Sequence, residues 1–238
     1  MKFYDWKNNS LSCVININHL RNINMIKFKY YFLTLFLLST FLIESYACRA
    51  DQSKKEKTIM NDKNHVKATF AGGCFWCMQP PYDDLPGVIS TTVGYTGGTK
   101  ENPTYEEVTS GKTGHLESVE IIFDSTKIGY AQLLQVFWRN IDPTDSAGQF
   151  VDQGSQYRTA IFYHDEKQKE LALKSKQELE SSGKFDKPIA AMITAAGVFY
   201  PAEDYHQQFY KNHPLRYNGY KAASGRSGYL KKKWGKAD

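Results

Sequence analysis

Apolar and polar positions alternate most cleanly in "HLESVEIIFD", residues 115–124, where Val119, Ile121 and Phe123 interleave with Ser118, Glu120 and Ile122. A period of two predicts a strand, and side chains two apart share a face, so Glu117 points with Val119, Ile121 and Phe123 toward the apolar side. Shorter runs predict strands in "VKATFA" (66–71), "GVISTTVGY" (87–95) and "YRTAIFYH" (157–164), with a final one around "KPIAAMITAAGVFY" (187–200). The period becomes helical in "TKIGYAQLLQVFWRNID" (126–142), where Leu133, Leu134, Phe137, Trp138 and Ile141 are core positions, and a long charged helix follows in "DEKQKELALKSKQELESSG" (165–183). After the glycine pair Gly72 and Gly73, "CFWCMQPPYDDL" (74–85) opens a helix that tolerates proline near its first turns. The segments "TGGTKENPTY" (96–105) and "PTDSAGQFVDQGSQY" (143–157) read as loops. Strands and helices alternate without a sustained parallel βαβ repeat, which predicts an α+β fold, a two-layer sandwich of a mixed sheet covered by helices.

The first quarter of the chain follows a different pattern. From Met25, basic Lys27 and Lys29 precede an apolar stretch from Phe32 to Ile43 and then small residues around Ala47. That stretch is too short to span a bilayer and has the three-part layout of a signal peptide, outside the fold. Residues 1–24 would make an unusually long polar leader, so translation is expected to start at Met25. Cys48 is either a lipid-modified first residue of a lipoprotein or simply follows the cleavage site. Residues 1–48 are thus read as leader and signal peptide, 49–66 as a charged, flexible linker, and 67–238 as one folded domain. An exported protein is expected, periplasmic or membrane-anchored through a lipid on Cys48, in a bacterium.

Composition narrows the partners. The 238 residues are 41% hydrophobic and 14% aromatic, enough to bury one good core, and a monomer is expected. A formal charge of +5 is modest, and Lys231, Lys232, Lys233 and Lys236 read as a frayed, solvated tail, with no nucleic-acid partner.

Within the domain stand two cysteines, Cys74 and Cys77, too few for a disulfide-stapled scaffold. No phosphate-binding, dinucleotide, zinc-protease or serine-hydrolase motif is present. His115, His164, His206 and His213 form no metal-ligand spacing with the pair, so neither metal nor cofactor is expected, and a lone residue such as His206 reads as a hydrogen-bonded structural histidine. Cysteine chemistry remains. At a helix N-terminus the Cys74 thiolate would be favoured and its pKa lowered, and Cys77, one turn on, is close enough to form a disulfide with it. A thioredoxin-like CxxC disulfide oxidoreductase is the generic reading. For Glu117 two readings stay open: a buried carboxyl kept neutral as a proton donor, or a strand-end residue that meets water.

Longer motifs are more specific. "GGCFWC", "GYTGG", "NPTYEEVTSGKTGHLESVEIIFD", "LLQVFWRNIDPT", "DQGSQYRTAIFY" and "AEDYHQQFY" occur in the order that resembles the A-type peptide methionine sulfoxide reductases, over the whole domain from about Val66. The resemblance implies reduction of methionine S-sulfoxide, free or in proteins, as repair of oxidative damage. Position by position, it implies that Cys74 attacks the sulfoxide sulfur and passes through a sulfenic acid. It implies that Glu117 protonates the oxygen, that Tyr105 and Tyr157 hydrogen-bond it, and that Asp152 positions water and substrate. Phe75 and Trp76 would form the apolar wall for the substrate methyl group, and a thioredoxin-like protein would supply electrons. The chain departs from many relatives in having no cysteine near its C-terminus, and Cys77 fills a position that is often glycine. Either Cys77 resolves the sulfenic acid or an outside thiol does.

Overall fold

In the computed structural model of the protein, residues 63–235 are described, and the leader, Cys48 and all but the end of the linker lie outside them. The period-two segments become β1 (His65–Gly72), β2 (Val88–Thr96), β3 (Leu116–Asp124) and, after two short strands described below, β6 (Thr159–Tyr163). With β7 (Met192–Ala195) and β8 (Tyr200–Pro201) they form a six-stranded sheet in the order β7-β6-β1-β3-β2-β8. Its pairings are antiparallel apart from β6 with β7, so the sheet is mixed and the fold α+β.

Helices cover the face that carries Glu117, Val119, Ile121 and Phe123. Helix α4 (Tyr130–Arg139) buries Leu133, Leu134 and Phe137 against Phe70, Val119 and Ile121, and the Phe70 and Phe137 rings stack at 5.3 Å. Burying such side chains contributes about 1.5–3 kcal/mol each, which outweighs the weak helix propensity of the aromatic positions. Helix α5 (Glu166–Ser181), capped by the Asp165 side chain on the Gln168 amide at 2.7 Å, supplies the crossover that lets β7 run parallel to β6.

Several expectations are corrected. The segment after Cys74 is two short helices, α1 (Phe75–Met78) and α2 (Pro80–Asp83), since Pro80 and Pro81 bring no N–H to continue the first. The final strand divides into β7 and β8, which sit on opposite edges of the sheet. Tyr105 begins a helix, α3 (Tyr105–Thr109), because Thr104 and Glu107 form a reciprocal capping box. The 143–157 segment contains a hairpin, β4 (Gly148–Gln149) with β5 (Asp152–Gln153), and a 3-10 turn at Ser155–Tyr157. Lys231, Lys232 and Lys233 are not frayed: they lie on α8 (Arg226–Trp234), after α6 (Phe209–Asn212) and α7 (Pro214–Ala223), and Lys236 lies outside the described residues. Trp234 anchors α8 beside Phe185 at the edge of the main core.

Candidate active site

Strand β1 lies inside the sheet and ends on Gly72, so the residue two further on is delivered to the middle of the sheet's end. Gly73 makes the turn at φ +82°, and a Cβ there would lie 2.5 Å from the Cβ of Gln149. Only glycine accepts both that dihedral and that approach. Cys74 follows as the N-cap of α1, with its carbonyl accepting from the Cys77 amide at 3.0 Å.

Both cysteines are unpaired by any disulfide and buried. The expected fall in the Cys74 pKa does not occur. Burial pushes this thiol well up, and the hydrogen bond it gives Cys77 and the nearby Glu117 act in the same direction. A single turn of helix is too small a field to offset desolvation. Cys77 is lowered to about 7, chiefly by the hydrogen bond from Cys74, with the Arg226 guanidinium adding to it. Cys77 also packs with Phe209 and Tyr217.

Glu117 is 2% exposed and sits within β3, which removes the reading of a frayed strand end. Its Oε2 accepts the Phe75 amide at 3.0 Å. Burial raises its pKa to about 8 despite that bond, with Asp152 and Cys77 adding to the rise. The carboxyl is therefore protonated at neutral pH.

Tyr105, Tyr157 and Asp152 converge on the same place. The two tyrosine hydroxyls hydrogen-bond to each other; burial raises Tyr105 to about 12 and Tyr157 further, and both feel the charges of Glu117 and Cys74. Asp152 arrives on the β4–β5 hairpin, whose turn residue Phe150 adopts φ +60° and packs its ring beneath the Arg226 guanidinium at 4.7 Å. Burial raises the Asp152 pKa, while the Tyr220 hydroxyl and Arg226 oppose the rise. Phe75 is almost fully enclosed by Val93, Tyr95, Val108 and Ala202, so the aromatic surface left half-open is that of Trp76, stacked on Phe209 at 3.8 Å and 6°.

Four contributors escape a reading of the sequence for periodicity. Tyr220, on α7, donates its hydroxyl proton to Asp152 Oδ2 and also reaches the Cys74 sulfur. Arg226 lies beneath the cysteine turn, donating to Gly72 O at 2.9 Å and to the Asn140 carbonyl. Glu203 accepts the Tyr105 amide at 2.9 Å and the Tyr95 hydroxyl at 2.8 Å. His206 accepts the Trp76 indole N–H at Nδ1, at 3.0 Å. The last two lie in "AEDYHQQFY", whose density of acid, histidine and aromatic residues was the available signal; Tyr220 and Arg226 carried none.

A buried dithiol beside a neutral carboxyl and two hydroxyls is the arrangement of a thiol oxidoreductase with a built-in proton donor. Residues 66–238 match the family model described as peptide methionine sulfoxide reductase. The chain is 57% identical over 169 residues to the peptide methionine sulfoxide reductase MsrA of Bacillus licheniformis, covering 71% of this chain and 93% of that one. Among solved structures it is similar to methionine sulfoxide reductase A of Corynebacterium diphtheriae, with TM-score 0.58, 31% identity, and 65% and 77% of the two chains covered. It is also similar to Mxr1 of Saccharomyces cerevisiae in reduced form, with TM-score 0.60, 30% identity, and 64% and 88% covered. The chain belongs to the peptide methionine sulfoxide reductase family.

Proposed function

We propose that the protein reduces methionine S-sulfoxide, in proteins and free, to methionine by a sulfenic acid route in which Cys74 is the nucleophile. The observation that carries this reading is the buried Glu117 carboxyl, held on the amide of the residue next to Cys74 and with its pKa raised to about 8. A sulfoxide oxygen leaves poorly unless it is protonated, so a neutral buried acid beside a thiol is the pairing this reaction requires.

Cys74 attacks the sulfoxide sulfur, and its proton and that of Glu117 go to the oxygen, which leaves as water as the S–O bond breaks and a bond from Cys74 to the substrate sulfur forms. Water then adds to the Cys74 sulfur and that bond breaks: the thioether leaves as methionine with the electron pair, Cys74 becomes a sulfenic acid, and the proton released returns to Glu117. Tyr105 and Tyr157, kept as hydroxyls by their raised pKa values, hydrogen-bond the oxygen, and Asp152 positions substrate and water. The methyl group settles on the apolar side formed by Trp76 with Phe75 behind it. Cys77, more readily a thiolate than Cys74, then attacks the sulfenic sulfur, expelling water and forming the Cys74–Cys77 disulfide. An outside thioredoxin-like dithiol reduces that disulfide by exchange. The signal-like leader and Cys48 favour an exported, lipid-anchored or released enzyme that repairs exported proteins.

The test mixes the reduced domain with each sulfoxide epimer and no reductant. One methionine from the S epimer and two thiols lost per protein are expected. One methionine with a single thiol lost assigns resolution to an outside thiol, and no methionine from either epimer leaves a disulfide oxidoreductase.

A further inference from the structure

We propose that His206 is a positioning residue of this site, whose Nδ1 fixes the rotation of the Trp76 indole and so sets the apolar surface that receives the substrate. The inference rests on the role given to Trp76 above. An indole N–H only donates, so the 3.0 Å contact from Trp76 Nε1 makes His206 Nδ1 the acceptor and puts the ring proton on Nε2. Nε2 is buried and has no hydrogen-bond partner among the described residues, Glu203 Oε2 lying 4.0 Å away.

A histidine kept for structure alone normally satisfies both of its nitrogens when buried. Here one nitrogen is committed to a single indole and no side chain or backbone group among the described residues accepts from the other. The imidazole also packs against Phe75 at 5.0 Å, Tyr105 at 4.5 Å and Tyr205 at 4.2 Å, so it is the common neighbour of the aromatic groups around the substrate position.

The other contacts of Trp76 are ring contacts: Phe209 stacks on its face at 3.8 Å, the edge of Tyr220 meets it at 5.9 Å and the Arg216 guanidinium lies 5.9 Å from its ring. Such contacts hold the plane of the indole without fixing where its N–H points. The hydrogen bond to His206 is directional and sets that direction. His206 reaches it from the 3-10 turn Asp204–His206, directly after Glu203, the residue that holds the amide of Tyr105. One short turn thus places two sides of the site.

The test begins with nitrogen NMR on the wild-type protein. The expected result is the Nε2-protonated tautomer, with scalar coupling across the Trp76 Nε1–H···Nδ1 bond; an Nδ1-protonated ring would overturn the proposal. Kinetics then separates positioning from mere packing. His206→Phe keeps a ring and deletes the acceptor, and it is expected to raise KM for methionine S-sulfoxide about 3–10-fold, the size of one lost hydrogen bond, with kcat within about 2-fold. His206→Asn, which offers an acceptor near Nδ1, should restore KM. In a Trp76→Phe background His206→Phe should add nothing to KM; an additive effect, or a fall in kcat at unchanged KM, would count against the proposal. Failure of the wild-type enzyme to reduce either epimer would overturn the reductase reading, and the nitrogen coupling would then decide the Trp76–His206 relation by itself.

Discussion

Glu117 Oε2 accepts the backbone N–H of Phe75 at 3.0 Å, so the carboxyl is tied to the residue that follows Cys74. Glu117→Gln keeps an oxygen for that amide and loses the transferable proton. Steady-state turnover of methionine S-sulfoxide should fall by about 10²–10⁴-fold, the usual worth of a general acid, with the circular dichroism spectrum unchanged. The wild-type rate should decline as pH rises through about 8, where Glu117 gives up its proton, and the residual rate of the variant should lack that decline.

The same carboxyl leaves a mark on stability. Its folded pKa of about 8 lies above its ordinary value of 4.5, so between the two the fold binds a proton that the unfolded chain has released. Stability contributed by this group is therefore present at low pH and lost as pH rises through that window. Thermal melts should show Glu117→Gln gaining on the wild type from about pH 5 to about pH 8, with no further change above. A variant that keeps a constant difference from the wild type, or loses ground to it, over this range would mean that the carboxyl is ionised in the fold.

Cys77→Ser removes the neighbouring thiol without filling more space. In a single turnover without reductant, one methionine per protein should still form and one thiol should disappear. Turnover with a thioredoxin-like donor should collapse while a small thiol still supports it, because the disulfide that a dithiol partner exchanges with can no longer form. Thiol counting and mass spectrometry of the Cys74 peptide check both statements.

Tyr220→Phe deletes the hydroxyl that joins Asp152 to Cys74. One lost hydrogen bond of this kind should lower kcat/KM by about 3–10-fold. The pKa of Asp152 should rise, since the hydroxyl opposes its burial, and carboxyl titration by NMR would show the shift. Unchanged kinetics would reduce Tyr220 to a packing residue.

Periodicity revealed the four long strands and the two long helices because the two sides of each meet different surroundings, as in β3, where Val119, Ile121 and Phe123 join the main core and Ser118 and Glu120 do not. It placed Glu117 beside Val119, Ile121 and Phe123, and β3 keeps that arrangement. It failed where single residues decide the backbone: the capping box of Thr104, the proline pair after Gln79 and the turn at Phe150. The reactivity of the cysteine pair was misread for a related reason. A helix start is visible in sequence, but the desolvation that governs Cys74 comes from distant segments that no local pattern reports. Tyr220 and Arg226 stayed hidden on the same account.

Arg226 holds the carbonyl of Gly72 across 154 residues of chain. The cysteine turn therefore leaves the ribosome long before the segment that encloses it. Contacts at such separation form late because the intervening chain must first be brought together. During that interval Cys74 and Cys77 are an open dithiol, without the burial that raises one and the guanidinium that favours the other. Until then the pair would meet oxidants and disulfides as two ordinary thiols; the last two helices bring Tyr220 and Arg226, and with them the difference between the two cysteines.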